Sequence, residues 1–578
     1  MPNHIAKTLI LGRIPKGADP KTTLAAGPWC FSGREAEYPN FAQTFTMAKE
    51  PLAADEMLAK SVLLAKTLTA SLIPKMAKKL APTSHLPESY WEVLLIPWLG
   101  LISEQIIERW LRILALKDSL GSEYLRIPIV DVKKSHFSFA SEADLTLNGA
   151  LGLNFNHWLF SYLLINTTLP SNWVLEEGQA IIQKFPSNDK EAGPKSSDLK
   201  KYLKQLVKKF LRKLPVPHLK GLTLGQSLLF SLALAHKSYE IDQSKLLQNL
   251  SQNTEELIAL KLPDIWPILE MSLPTSIKNL SHPKKLAQTK APRLRVASVE
   301  AYEDAIYRQD LAIFRGQGHR LIFIQHGGNY GQIRYACLTE MFEYTQQAFI
   351  TWGWSEQAGI NGHFIPLPYP QLAKIRHGWK GEKSQTILFV GTEMPLFGYR
   401  LDSHPTPLQV VSYREAKVRF LATLPDDLRN CLLYRPYFDV PGCLEDYSFI
   451  KQHFPQIKRC VGDLKEHFLN THLLILDHHG TTLLEAMAAN VPVICYWNRD
   501  HWPLNSATQD LFDKFKNLGI YHETAEDAAR FVSHIWPNLV SFWQSQEVQE
   551  ARSAFCQKFA RIQENNENPL WVATLKKL

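Results

Sequence analysis

Several things are scarce in this 578-residue chain, and each shortage excludes something. The seven cysteines (Cys30, Cys337, Cys431, Cys443, Cys460, Cys495, Cys556) are scattered, odd in number, and form no CxxC or Cys/His zinc spacing; they read as reduced thiols. No internal repeat of solenoid period and no low-complexity tract is found. The N-terminal MPNHIAKTLILG carries no apolar run of signal-peptide length. The longest apolar stretch, residues 90–102, is too short to span a membrane and contains Glu92 and Pro97, so no spanning helix is expected. Excess charge is small: 64 Lys and Arg against 56 Asp and Glu leave +8. That bias suits anionic small substrates or an anionic membrane surface and is too weak to argue for nucleic acid. Walker-type and Ser-His-Asp signatures are absent. The expectation is a cytoplasmic protein, working free or peripherally on the inner face of the cell membrane.

What is present is the composition of a folded protein, 45% apolar and 21% charged, with length for two to three domains. A first strand is expected at residues 7–12, a turn at 27–30, helices at 52–80 and 90–117, a strand at 124–130 ending at Asp131, and a helix at 151–165. Residues 186–198 read as a connector. The segment 198–213 that follows puts leucines and aromatics on one helical face and lysines on the other. Such a basic amphipathic helix fits either a solvated surface helix or docking on an anionic leaflet. Residues 274–296 read as a loop, 299–316 as a helix, 321–324 as a strand, and the stretch up to 347 as a helix before a strand at 348–351. After a polar linker at 377–384, a second alternating α/β series begins with a strand at 386–390. The helices beyond residue 532 offer Trp536, Phe542, Trp543, Phe555 and Phe559 for packing back on the body.

The most informative stretch is 470–498, NTHLLILDHHGTTLLEAMAANVPVICYWN, which predicts strand, polar turn, helix, strand. A Gly480-Thr481-Thr482 turn at a helix start offers unpaired N–H groups, two hydroxyls and the positive end of the helix dipole, all suited to a phosphate. Asp477 and His479 belong to the same turn, and Glu485, one helical turn on, can accept hydrogen bonds from ribose hydroxyls. The plainer reading is an N-cap and sheet packing. A second His-Gly turn, QHGGNYG at 325–331, joins the imidazole of His326 to Gly327 and Gly328, which let backbone N–H groups approach a ligand. His326 could protonate a leaving phosphate or act as a base. Glu340 and Glu343 on the expected following helix are candidates for deprotonating an acceptor, and Arg334 for binding an anion. Arg435, at a strand end, is a candidate phosphate clamp. Asp131 and His157 are lesser acid/base candidates. His478-His479 beside Asp477 make no convincing metal site, because adjacent turn residues rarely converge on one ion. In doubly wound sheets ligands lie beyond the carboxyl ends of the strands, and both His-Gly turns fall there, which predicts one shared cleft.

GPWC at 27–30, YWEVLLIPWL at 90–99, FNHWLFS at 155–161, IQHGGNYG at 324–331, TWGW at 351–354 and DHHGTTLLEAMAANVPVICYW at 477–497 resemble a family of transferases encoded in bacterial O-antigen and surface-polysaccharide gene clusters. The resemblance runs in order over most of the chain. It implies a GT-B-like α/β fold of two Rossmann-like doubly wound domains facing a cleft, with a helix-rich N-terminal half. An acceptor-side domain at 1–376 would carry the basic helix 198–213, a nucleotide-sugar domain would occupy 385–535, and helices at 536–578 would pack back. More distantly it is similar to transferases that move Kdo from CMP-Kdo in capsule and lipopolysaccharide synthesis.

The activity expected is therefore sugar transfer from a nucleotide donor, CMP-linked favoured, to a surface glycan or lipid-linked acceptor. Gly327, Gly328, Arg334, Arg435, Asp477, His479, Gly480, Thr481, Thr482 and Glu485 would bind the donor, and His326, Glu340, Glu343 and Asp131 would serve in catalysis. No further cofactor, metal or nucleic acid is expected. Two competing readings are a nucleotide-sugar epimerase or hydrolase of the same architecture and a non-catalytic scaffold in polysaccharide assembly.

Overall fold

A computed structural model describes residues 6–184, 214–217, 222–235, 239–240, 253–438, 440, 442–563 and 566–578. The expected basic helix at 198–213 lies outside the described residues. Seventeen strands occur among those described: β1 (Lys7–Ile10), β2 (Thr23–Ala25), β3 (Thr46–Met47), β4 (Leu125–Ile129), β5 (His136–Ser138), β6 (Trp173–Glu177), β7 (Ile182–Lys184), β8 (Leu294–Ala297), β9 (Arg320–Ile324), β10 (Phe349–Thr351), β11 (Phe364–Pro366), β12 (Ile387–Val390), β13 (Leu432–Arg435), β14 (Lys458–Arg459), β15 (Leu473–Leu476), β16 (Val493–Tyr496) and β17 (Tyr521–His522). The three larger sheets are parallel throughout, in orders β3-β2-β1-β4-β6, β11-β10-β9-β8 and β14-β13-β12-β15-β16-β17. β5 and β7 form a small pair. The molecule is thus α/β, built on parallel sheets. Its first half carries two parallel sheets where a single doubly wound one was expected.

The last sheet is doubly wound. Counted from β12, its strands run 3-2-1-4-5-6, so the order reverses between β12 and β15, where a crevice opens at the strand ends. ILFV, LLIL and VICY are unbroken apolar runs because both faces of this sheet are covered. Ile387 and Phe389 enter one core cluster, Leu388 and Val390 the other. The register Val390↔Leu476 puts the ends of β12 and β15 level, so the chain leaves the two strands side by side at Gly391 and Asp477.

Two long helices, Ala54–Leu80 and Glu88–Leu120, pack on each other between the sheets. The first is long and apolar enough to cross a membrane by length and composition alone. Yet 61% of that stretch is buried inside the protein, as in a core helix. The second buries Glu104, Gln105, Glu108, Arg109 and Arg112 along one face. Glu108 pairs with Arg109 and Arg112, and Arg112 reaches Glu50 at 2.9 Å.

Other differences from the sequence reading are local. The supposed loop 274–296 contains a helical turn, Thr275–Lys278, and ends in β8. The helix expected up to 347 shrinks to Cys337–Phe342. Upstream of it the backbone is taken up by bridges from Ile333 to Leu504 and from Ala336 to Asp402. At the C-terminus, helix Gln546–Phe559 covers helix Thr481–Ala489: Arg552 donates to the Met487 carbonyl at 2.8 Å, and Trp543 donates to Asn490 Oδ1 at 2.9 Å. The last helix, Asn568–Lys577, crosses to the β8–β11 sheet, where Trp571 stacks on Phe230 and donates to the Pro368 carbonyl.

Candidate functional site

β15 stops at Leu476 because the next residues are polar, and Thr481 begins a helix that runs to Ala489. Asn490, in the left-handed conformation at φ 61°, ends it. The helix N-terminus faces a cavity of about 380 Å³ lined by Gly391, Arg400, Arg435, His479, Thr482 and Trp502 among others. A second, of about 170 Å³, lies against His326, Tyr330, Arg400, Asp402, His404 and Thr481. Asn329, Arg400, His404 and Thr481 wall both, so the two adjoin.

The two His-Gly turns touch. Gly328 N–H donates to Thr481 Oγ1 at 2.8 Å, and His479 Nδ1 lies 2.9 Å from Asn329 Oδ1. A Cβ on Gly328 would lie 2.3 Å from both the Gly480 carbonyl carbon and the Thr481 nitrogen, so glycine is required for this approach. Asn329 sits at φ 74°, a conformation asparagine tolerates better than most residues. Burial pushes the His479 imidazole down to about 3, so the ring is neutral, and among the described residues its Nε2 has no hydrogen-bond partner. The Trp502 indole N–H likewise has no acceptor among the described residues.

Under this surface lies a buried ionic floor. Lys417 Nζ is 2.9 Å from Asp446 Oδ2 and 3.2 Å from Asp477 Oδ2, and Tyr413 donates to Asp477 Oδ1 at 2.6 Å. Burial opposes ionisation of Asp477, but Lys417 and His478 outweigh it and hold the carboxyl below the usual range. Asp477 therefore supports the turn from beneath; its expected place against the donor is corrected, since it is fully buried and lines neither cavity.

Beside the smaller cavity, His326 lies 3.0 Å from the Tyr330 hydroxyl, which donates to Glu343 Oε1 at 3.0 Å; Tyr302 donates to the same oxygen at 2.9 Å. Burial raises the Glu343 carboxyl to about 8 against these two hydrogen bonds. Glu343 thus stands behind Tyr330 rather than in the cavity.

Of the remaining expected residues, Gly327, Gly480, Thr482 and Arg435 line the adjoining cavities, Arg435 donating also to the Gly462 carbonyl at 3.0 Å. Four are corrected. Glu340 is turned away, paired with Lys66 and accepting the Ala336 N–H. Arg334 pairs with Asp55 at 2.7 Å and lines a separate cavity with Arg499 and Gln409. Asp131 caps a turn beyond β4, accepting the N–H groups of Lys133 and Lys134. Glu485 faces the neighbourhood of Tyr369, not either cavity. His157 is packed against Gly12 and the Pro128 carbonyl.

Sequence reasoning missed Arg400, Asp402 and His404, on the irregular segment after β12. Helix Glu88–Leu120 fixes that segment: Glu104 accepts the Leu401 N–H at 2.7 Å, Gln105 donates to the Tyr399 carbonyl, and Arg109 to the Gly398 carbonyl. The available signal was a long polar loop following the first strand of a doubly wound sheet, where ligand-binding loops concentrate. Among the described residues no group of three His, Cys, Asp or Glu side chains is arranged to hold a metal ion.

No curated protein matches the sequence. Among solved structures, the wall teichoic acid polymerase TagF, soaked with CDPG, is similar at 11% identity and a TM-score of 0.27, over 67% of this chain and 98% of that one. WaaG, a glycosyltransferase involved in lipopolysaccharide biosynthesis, is similar at 13% identity and a TM-score of 0.23, over 59% and 85%. At those scores neither likeness bears on the chemistry of this site. The sequence itself matches the LIC12162 family transferase description over residues 7–575, and the chain belongs to that family.

Proposed function

We propose that this transferase moves a sugar from a nucleotide donor to a bacterial surface glycan or its lipid-linked carrier. The observation that carries this reading is the meeting of the two His-Gly turns, with Thr481 walling both adjoining cavities. The donor phosphate would lie at the start of helix Thr481–Ala489, against Gly480, Thr481 and Thr482, with Arg435 and His326 balancing the departing charge. These groups supply positive potential from the protein itself, so we propose transfer without a divalent metal. A CMP-linked ulosonic acid such as Kdo is the favoured donor, and O-antigen, capsule or lipopolysaccharide the favoured product. The chain would work in the cytoplasm, peripherally on the inner membrane face. Glu485 is dropped as the ribose ligand because it lies away from the cavities.

A thermal-shift panel of CMP, UDP, GDP and dTDP tests the reading, since a ligand that binds only the folded state raises Tm. One nucleotide is expected to stabilise the protein, and to do so equally in EDTA. No shift with any of the four argues against a nucleotide donor, and a shift that needs Mg²⁺ argues against the metal-free step.

A further inference from the structure

None of the three carboxylates expected from the sequence to serve in catalysis lines the cavity beside His326. Glu343 is behind Tyr330, Glu340 is turned to Lys66, and Asp131 caps a turn in another sheet. The carboxylate that lines this cavity, together with His326 and Thr481, is Asp402. We propose that Asp402 is the general base that removes the proton from the acceptor hydroxyl, an assignment that rests on the sugar-transfer reading above.

Its backbone is fixed on both sides. Asp402 bridges to Ala336, the following N–H of Ser403 donates to the Tyr335 carbonyl at 2.9 Å, and the preceding N–H of Leu401 donates to Glu104. The Cys337 N–H donates to its carboxylate. Thr481, in the same cavity wall, also borders the larger cavity at the helix start, so a hydroxyl held by Asp402 lies next to the space proposed for the donor phosphate.

The titratable and charged groups around Asp402 are Arg400 and His404 on its own segment, Glu393 nearer β12, Cys337 and Glu340 from helix Cys337–Phe342, Glu343 and Tyr344 just beyond that helix, Tyr302, and Glu104 from helix Glu88–Leu120. Burial, resisted by Arg400 and aided by Glu340 and Glu393, raises its carboxyl to about 6. It is therefore mostly ionised at neutral pH yet more basic than a free aspartate, whereas Glu343, at about 8, is mostly protonated there.

In the step itself the acceptor O–H proton passes to Asp402 and the acceptor oxygen bonds to the anomeric carbon. The bond from that carbon to the phosphate oxygen breaks, and its electron pair leaves on the nucleotide. A single displacement of this kind inverts the anomeric configuration.

The test uses water in place of the acceptor hydroxyl. The full chain is assayed for hydrolysis of CMP-Kdo, UDP-glucose, GDP-mannose and dTDP-rhamnose, alone and with a bacterial membrane extract as acceptor source. Asp402→Asn keeps an acceptor for the Cys337 N–H and Glu343→Gln serves as the comparison. Asp402→Asn is expected to lower kcat by about a hundredfold or more while leaving the nucleotide Kd within about threefold. It should also abolish the rise in rate with pH centred near 6, a limb that Glu343→Gln keeps. Formate should restore part of the rate to Asp402→Ala. If the wild type turns over a donor and Asp402→Asn retains both rate and limb, Asp402 is not the base, though sugar transfer stands. If the wild type consumes no donor under either condition, the transfer reading fails and takes the assignment with it.

Discussion

At the residue scale the site depends on a few side chains whose surroundings leave little choice. Gly328 meets backbone atoms of the opposite turn, which cannot swing aside as a side-chain tip would. Gly328→Ala is therefore expected to cost about 1–3 kcal/mol and to part the two turns. A fall in Tm with loss of nucleotide binding checks it. Gly327→Ala meets only Thr481 Oγ1, at 3.3 Å, and should be milder. Glu104 is a second case. Burial chiefly, with Asp402 nearby, raises its carboxyl from 4.5 to about 8. Its folded-state pKa lies above the unfolded one, so its contribution to stability is full below the unfolded value and is lost as pH rises through about 8. Wild type should accordingly lose Tm between about pH 5 and pH 8, and Glu104→Gln should lose less, with the two alike at low pH. Equal slopes in melting curves across that range would contradict this account of the Glu104 carboxyl.

At the element scale, legibility in the sequence followed how local the cause was. β12, β15 and β16 read correctly because a parallel strand buried on both faces must be apolar throughout. The helix after His479 read correctly because its cap, apolar face and terminating Asn490 are neighbours in sequence. Residues 332–336 were misread as helix because their backbone is claimed by distant partners, Leu504, Pro503 and Asp402. The segment carrying Arg400, Asp402 and His404 stayed hidden for the same reason, being held by Glu104, Gln105 and Arg109 nearly 300 residues earlier in the chain. The floor beneath β12, β13 and β15 is set by one cation. Removing it with Lys417→Met takes the lysine away from both Asp446 and Asp477 and leaves Asp477 only His478 and the Tyr413 hydroxyl, an expected loss of about 3–5 kcal/mol by denaturant unfolding. A loss under about 1 kcal/mol would mean the pair is not ionised as described.

At the scale of the whole molecule, the chain closes a cleft by crossing between its halves twice. The segment after β12 binds the long helix of the first half, and the final helix returns from the last sheet to the β8–β11 sheet. Trp571→Ala should loosen that return. It removes a side chain buried against Phe230 and hydrogen bonded to Pro368, for about 3–5 kcal/mol measured by thermal or denaturant unfolding. The α/β class and the pairing of strand-end turns were legible because both follow from chain order. Which carboxylate the cleft presents was not, because that depends on how the halves meet. The most direct measurement of the central claim is photolabelling with CMP that carries an aryl azide on its phosphate, where the favoured donor would carry its sugar, followed by peptide mapping. The account predicts adducts in both turns, at 325–331 and at 477–485, protected by the unmodified nucleotide; labelling confined to one turn, or to neither, would contradict it.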